Sequence, residues 1–381
     1  MTNDDQAGVT APLTQLNGVS IEQFLAQYWQ QQPLLIRNAF PHFRSPVQAD
    51  EIAGFAVDDD VDARLVIQEP MRQQWRVIHS PVPPQVFEQL PEREWTLLVQ
   101  HANLLDPGIN ALLQPFRFIP NWRLDDIMVS YAVDGGGVGP HFDYYDVFLL
   151  QGQGKRRWRI GQQCDVQSPL IPDQPMRILA QFEQSDEFIL HPGDMLYVPP
   201  YWAHWGTAIG ESITYSIGFR APSHADILLD ASQELALDLS EDDRYRDPRM
   251  HLQSYPGEIR AEVVSEMIAI FRDLTAKSQV FVDWLGSYAT RNDHYQAAAP
   301  SQLQSDGIFS LDPFARSVFI RTGDGHSVEA QLYVNGNRFL CSLAMATAIT
   351  EYRQLHVNQL SDSDKKIASQ LAALGTLKIN I

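Results

Sequence analysis

The chain has 381 residues, 44% hydrophobic and 20% charged, which excludes a collagen, a coiled coil or a wholly disordered polypeptide and exceeds what one compact core usually organises. Its net charge of −19 is uneven: residues 301–381 carry seven acidic and seven basic side chains, while residues 1–300 carry 40 acidic against 21 basic, a body that repels phosphate backbones and attracts basic partners. Two cysteines, Cys164 and Cys341, are too few for a disulfide framework or a thiolate metal site, and no run approaches the roughly 20 apolar residues of a membrane span.

The opening MTNDDQAGVTAP has neither a basic nor an apolar signal region, so a cytosolic chain with an unstructured first dozen residues is expected. Residues 20–39 read as a helix capped by Ser20 and Gln23, ahead of Phe24, Leu25, Tyr28 and Trp29, followed by a strand at LLIR. Residues 62–80 and 112–133 carry strand-like stretches rich in Val, Ile, Phe and Tyr. From 126 to 220 short strands alternate with Gly and Pro: DIMVSYAV, DVFLLQG, RRWRIG, EFILHPGDMLYVPP and ITYSIGF. That cadence predicts an antiparallel barrel or sandwich. Helical periodicity takes over at 223–239 and 257–289, the latter with Ile259, Val263, Met267, Ile270, Phe271 and Leu274. Residues 315–342 return to strands joined by TGDG and NGN turns. Helices follow at 343–355 and 361–374, the last started by Ser361 or Ser363, and strand pairs beside short helices suggest a winged-helix-like end piece.

Chemistry concentrates in two segments. GPHFDYYDVFLL places His141 and Asp143 two apart on an apparent strand, and a period of two puts both side chains on one face. Two imidazoles and one carboxylate on a triangular face leave metal positions open, the arrangement of non-heme iron(II) oxygenases. The glycines at 135–139 deliver His141, and HPGDMLYVPPYWAHWG supplies His204 after a turn, a strand and a Pro-Pro bend. His191 competes for the third place, but it sits at the turn itself, where a solvent-facing role is more natural, so His204 is favoured. An oxygenase of this class also anchors 2-oxoglutarate, whose far carboxylate needs a cation and usually a hydroxyl. Arg156, placed across an apparent hairpin in GQGKRRWRI, offers a bidentate and always-charged partner, and Ser130 lies on the strand before the metal motif.

The run DDIMVSYAVDGGGVGPHFDYYDVFLLQGQGKRRWRIG, the later PGDMLYVPPYWAHWG and the opening FLAQYWQQQPLLIRNAF closely resemble the bacterial JmjC ribosomal oxygenases, arginine hydroxylases of large-subunit ribosomal protein sixteen. The resemblance implies a mainly β plus α architecture. A double-stranded β-helix core of the cupin/JmjC jelly-roll type would occupy 96–222 behind an N-terminal region at 1–95, with a helical dimerisation domain at 223–300 and a winged-helix-like domain at 301–381. It implies Fe(II) held by His141, Asp143 and His204, with 2-oxoglutarate at Ser130 and Arg156 and O2 as the second cosubstrate. It also implies a substrate-arginine pocket of Asp126, Met128, Tyr145 and Ser216, a basic ribosomal protein as partner, and a homodimer. Asp126 suits a carboxylate–guanidinium fork, Tyr145 and Met128 suit the apolar stem, and Ser216 adds an acceptor. Many JmjC demethylases use lysine for the far carboxylate; here the matching residue is Arg156, with Lys155 facing away. Histidine hydroxylation, lysine demethylation and a non-catalytic metal-binding cupin remain alternatives. The C-terminal segment is charge-neutral, so no sequence-specific nucleic-acid binding is expected.

Overall fold

The structure, a computed structural model, describes residues 12–69, 71, 74–237, 239–248, 250–276, 278–304, 307–322 and 328–379. The expected unstructured start lies, up to residue 11, outside the described residues. The chain divides into two compact units, Met1–Ala221 and Pro222–Ile381.

The first unit opens with α1 (Ile21–Gln27), capped as expected. Ser20 Oγ accepts the Gln23 N–H and Gln23 Oε1 accepts the Ser20 N–H, both at 3.2 Å, which satisfies two otherwise free amides at the helix start. Its one buried side chain, Phe24, enters an aromatic core with Phe148 and Tyr197. LLIR then forms β1 (Leu34–Ile36). There follow β2 (Ala63–Glu69), β3 (Gln74–His79), β4 (Trp95–Val99), β5 (Leu124–Ala132), β6 (Val147–Gln163), β7 (Asp186–Leu190), β8 (Met195–Val198) and β9 (Trp202–Phe219). These nine strands pair antiparallel in one sheet, in the order β1-β8-β6-β9-β5-β4-β2-β3, with β7 added to β6.

Two local expectations change. DVFLLQG and RRWRIG are not the arms of a hairpin but parts of the single 17-residue strand β6. Gly154, at φ +66°, lies where the register with β9 shifts between Ile209 and Ser212, so the ladder bends without the chain reversing. Arg156 therefore lies further along the strand that starts at Val147, opposite Ala208 of β9. The second change is at 112–123. This stretch contains helical turns at Gln114–Phe116 and Asn121–Arg123, with Leu112, Phe116 and Ile119 buried at spacings of one helical turn, and the strand starts only at Leu124.

In the second unit the helical segments are α2 (His224–Leu237), α3 (Ala261–Thr275) and α4 (Ser278–Thr290). Two three-stranded sheets follow. One pairs β10 (Ile308–Leu311) with both Gln354–His356 and Leu377–Ile379; the other is Ser317–Arg321, Glu329–Val334 and Asn337–Ser342 in sequence order. Helices Leu343–Thr347 and Asp362–Ala373 pack with them, the latter capped by Ser361, whose Oγ accepts the Asp364 N–H at 3.1 Å. The NGN turn joins its two strands, whereas the glycines of TGDG lie outside the described residues. Strands of three or four residues are too short to show a period, which is why the sheet around β10 has no counterpart in the sequence pattern.

Candidate active site

His141 does not sit on a regular strand. It forms an isolated bridge with His204, its N–H donating to His204 O at 3.1 Å and the His204 N–H donating back at 2.8 Å. At His204, β9 already pairs with Ile160 of β6 on its other side, so only this one residue is added before the chain leaves the sheet until Val147. Asp143 thus lies in irregular chain, tied down by the Tyr201 N–H, which donates to its carbonyl at 2.8 Å. The shared strand face expected for His141 and Asp143 is replaced by a bridge and a loop, yet the side chains converge.

Asp143 Oδ2 lies 3.5 Å from His204 Nε2 and 4.0 Å from His141 Nε2, and the three ligand atoms all lie within 4.8 Å of one another. Each imidazole is oriented from behind: Nδ1 of His141 lies 3.0 Å from Gly139 O, and Nδ1 of His204 lies 3.0 Å from Trp202 O. Those contacts put the ring proton on Nδ1 and turn the Nε2 lone pair toward the centre. Burial, then the neighbouring His141, pushes His204 down to about 4 against the pull of Asp143. Two neutral imidazole nitrogens and one carboxylate oxygen fit a divalent metal with an open face. His191, with a side chain 54% exposed, stays at the HPGD turn beside Asp194.

Arg156 is 3% exposed. Its Nη1 donates to Ser130 Oγ at a long 3.4 Å, its guanidinium lies over the Trp158 ring at 5.1 Å, and its Nε and the Trp158 Nε1 are buried without a partner among the described residues. Burial alone lowers it to about 10, so it remains a cation at neutral pH, and among the described residues no carboxylate pairs with it. A buried charge with no counter-ion is costly unless an anion arrives. Lys155, its neighbour, is exposed on the opposite face.

All nine residues nominated from sequence line one cavity of about 440 Å³. Asp126 is 6% exposed and accepts from Gln100 Nε2 at 2.7 Å and from the His101 N–H at 3.1 Å. Met128 and Ser216 face each other across the β5–β9 ladder, and Tyr145 is 43% exposed at the rim. Sequence reasoning missed Gln100, His101, Arg64 and Trp158. Trp158 was within reach, two residues from Arg156 on the same strand face; the others lie on or just beyond β2 and β4, far along the chain from any motif.

A converging two-histidine, one-carboxylate centre beside a buried arginine on a large antiparallel sheet defines a cupin-like metal centre, and residues 111–227 match the JmjC domain family. The chain is 34% identical over 288 residues to the ribosomal protein uL16 3-hydroxylase of Escherichia coli strain K12, covering 75% of this chain and 76% of that one. It is 38% identical over 290 residues to a probable ribosomal oxygenase of Haemophilus influenzae, covering 75% and 69%. The solved structure of YcfD, a ribosomal oxygenase from Escherichia coli in complex with cobalt and 2-oxoglutarate, superposes with a TM-score of 0.81 at 29% identity, covering 96% of this chain and 99% of that one. The chain belongs to the JmjC-domain ribosomal oxygenases.

Proposed function

We propose that this chain is an Fe(II)- and 2-oxoglutarate-dependent protein hydroxylase that places a hydroxyl on the Cβ of an arginine in ribosomal protein uL16. The observation that carries the reading is Arg156: a buried cation with no carboxylate partner among the described residues, in the same cavity as three converging metal-ligand atoms, calls for a dianion that can reach both. Supporting the substrate are the 3-hydroxylase relative, the buried carboxylate of Asp126 and the acidic excess of residues 1–300, suited to a basic partner.

His141, Asp143 and His204 would hold the metal. Together with 2-oxoglutarate and O2 it supplies the oxidant that functionalises an unactivated carbon. The chain's own work is positioning. Arg156 and Ser130 hold the far carboxylate of the cosubstrate, and Trp158 keeps water from the guanidinium face. Asp126 binds the substrate guanidinium while Met128 and Tyr145 flank its stem and Ser216 accepts a further N–H, so that Cβ is presented to the metal's open side. Tandem mass spectrometry after incubation of enzyme, iron(II), 2-oxoglutarate and uL16 peptides tests the reading. One added oxygen on arginine is expected. Oxygen on histidine alone, or loss of a methyl group, would overturn the substrate assignment.

The same proposal includes a cytoplasmic homodimer formed through helices of 223–300, beside a winged-helix-like piece at 301–381. None of the residues of α3 is buried, and Val264, Met267, Ile268, Ile270 and Phe271 are all exposed.

A further inference from the structure

Asp126 has an uneven set of partners. Gln100 Nε2 at 2.7 Å, the His101 N–H at 3.1 Å and His101 Nδ1 at 3.1 Å all address Oδ2. Oδ1 points toward Gly218, close enough that a Cβ there would lie 3.4 Å from it, on the wall of the cavity. Two of the three donors come from one residue. His101 adopts φ +52° and ψ +28°, a left-handed conformation uncommon outside glycine and asparagine, where β4 gives way to a short helical turn. That twist lets backbone and side chain of the same residue grip the same oxygen. The imidazole is also 28% exposed, so it can exchange protons with solvent.

We infer that His101 is a positioning residue that fixes Asp126 and tunes its charge, so that the grip on the target arginine strengthens as His101 loses its proton. The inference rests on the proposed role of Asp126 as the guanidinium partner. With Oδ2 fully engaged, Oδ1 is left for the substrate. A protonated His101 and a substrate guanidinium then share one carboxylate, and each cation weakens the attraction felt by the other. The coupling is reciprocal: binding of arginine favours loss of the His101 proton by the same factor by which loss of that proton favours binding. A neutral His101 still donates from Nδ1, so the geometry of Asp126 survives while the repulsion disappears.

Burial works against the charged imidazole, but the hydrogen bond and charge of Asp126, with Asp125 and Asp62, raise it above the ordinary histidine value. The charged and titratable groups around the pair are Asp125, held at 3.1 Å by Arg220 Nε, Asp62 and, from the cavity wall, Arg64 and the neutral phenol of Tyr145. None of these has an ordinary value inside the range from about pH 6 to 9, whereas His101 does. Below its transition the histidine opposes the substrate; above it the full carboxylate charge is available.

The test is calorimetric titration of an arginine-containing uL16 peptide into the full chain across about pH 6 to 9, in buffers of different ionisation enthalpy. This readout does not depend on turnover. Wild type should bind about three- to tenfold more tightly at the alkaline end and release a proton on binding. His101→Asn, which tolerates the left-handed backbone and keeps the amide donor, should bind tightly at all pH values with no proton release. His101→Lys should bind weakly throughout. Identical pH profiles for wild type and His101→Asn, or a His101→Lys protein that binds as tightly as His101→Asn, would overturn the inference. Asp126→Asn separates the two levels. If it leaves peptide affinity unchanged, the guanidinium clamp and the role of His101 fall together; if it weakens affinity strongly while the profiles coincide, only the role of His101 falls.

Discussion

Arg156 and Lys155 are adjacent in sequence and opposite in environment, so they make a paired test of the cosubstrate anchor. Arg156→Ala is expected to raise the apparent 2-oxoglutarate requirement about 10–100-fold, the loss of one charged hydrogen-bonding pair worth about 1.5–3 kcal/mol, whereas Lys155→Ala should leave it nearly unchanged; steady-state titration of 2-oxoglutarate decides. At the metal, His141→Ala or Asp143→Ala should abolish turnover with little change in melting temperature, because the sheet and aromatic core do not depend on those ligands. His191→Ala should be silent in both assays. These residues were legible in the sequence because a bound metal restricts the donor types and their spacing. His101 was not: its side chain meets Asp126 only because β4 and β5 are neighbours in the sheet, and nothing local in TLLVQHAN signals that pairing. The left-handed backbone at His101 is likewise imposed by the fold.

The two long strands, β6 and β9, carry Arg156 and His204, and glycine governs how closely they can approach the buried guanidinium. Gly206 of β9 lies opposite Trp158, where a Cβ would come within 2.7 Å of both Arg156 Nε and the Trp158 ring. Gly206→Ala should therefore displace the anchor, raising the 2-oxoglutarate requirement several-fold and destabilising the fold by about 1–3 kcal/mol, measured by cosubstrate kinetics and urea denaturation. An unchanged cosubstrate requirement would mean that Arg156 can give way without functional loss. Strand existence was readable along 126–220 from alternating apolar residues bounded by Gly and Pro. Continuity was not, since Gly152 and Gly154 look like a hairpin turn when β9 is out of view. Only the paired strand shows that the glycines accommodate a bend. The apolar residues at 112–119 have a strand-like composition, but Leu112, Phe116 and Ile119 recur at the spacing of short helical turns.

For the molecule as a whole, the exposed face of α3 makes a measurable demand. Light scattering on the intact chain should give a dimer at micromolar concentration, and Phe271→Asp with Ile268→Asp should yield a monomer; a wild-type monomer would refute pairing through this segment. The change from strand to helix periodicity near 222 coincides with the division between the two compact units, whereas the change in charge balance past 300 falls inside the second unit. Each unit has its own apolar core, the second around Phe309, Leu332 and Leu371 and the first around Phe24, Phe148 and Tyr197, and the first also contains the buried Arg156 guanidinium. A charge of that kind makes the native state of the first unit worth more in the presence of small dicarboxylates. By mass action a ligand at 100 times its dissociation constant adds about 2.7 kcal/mol, which lowers the population of opened chains by about a hundredfold. Limited proteolysis should thus be slowed by 2-oxoglutarate or succinate in wild type and much less in Arg156→Ala, making the lifetime of this protein a readout of the dicarboxylate pool around it.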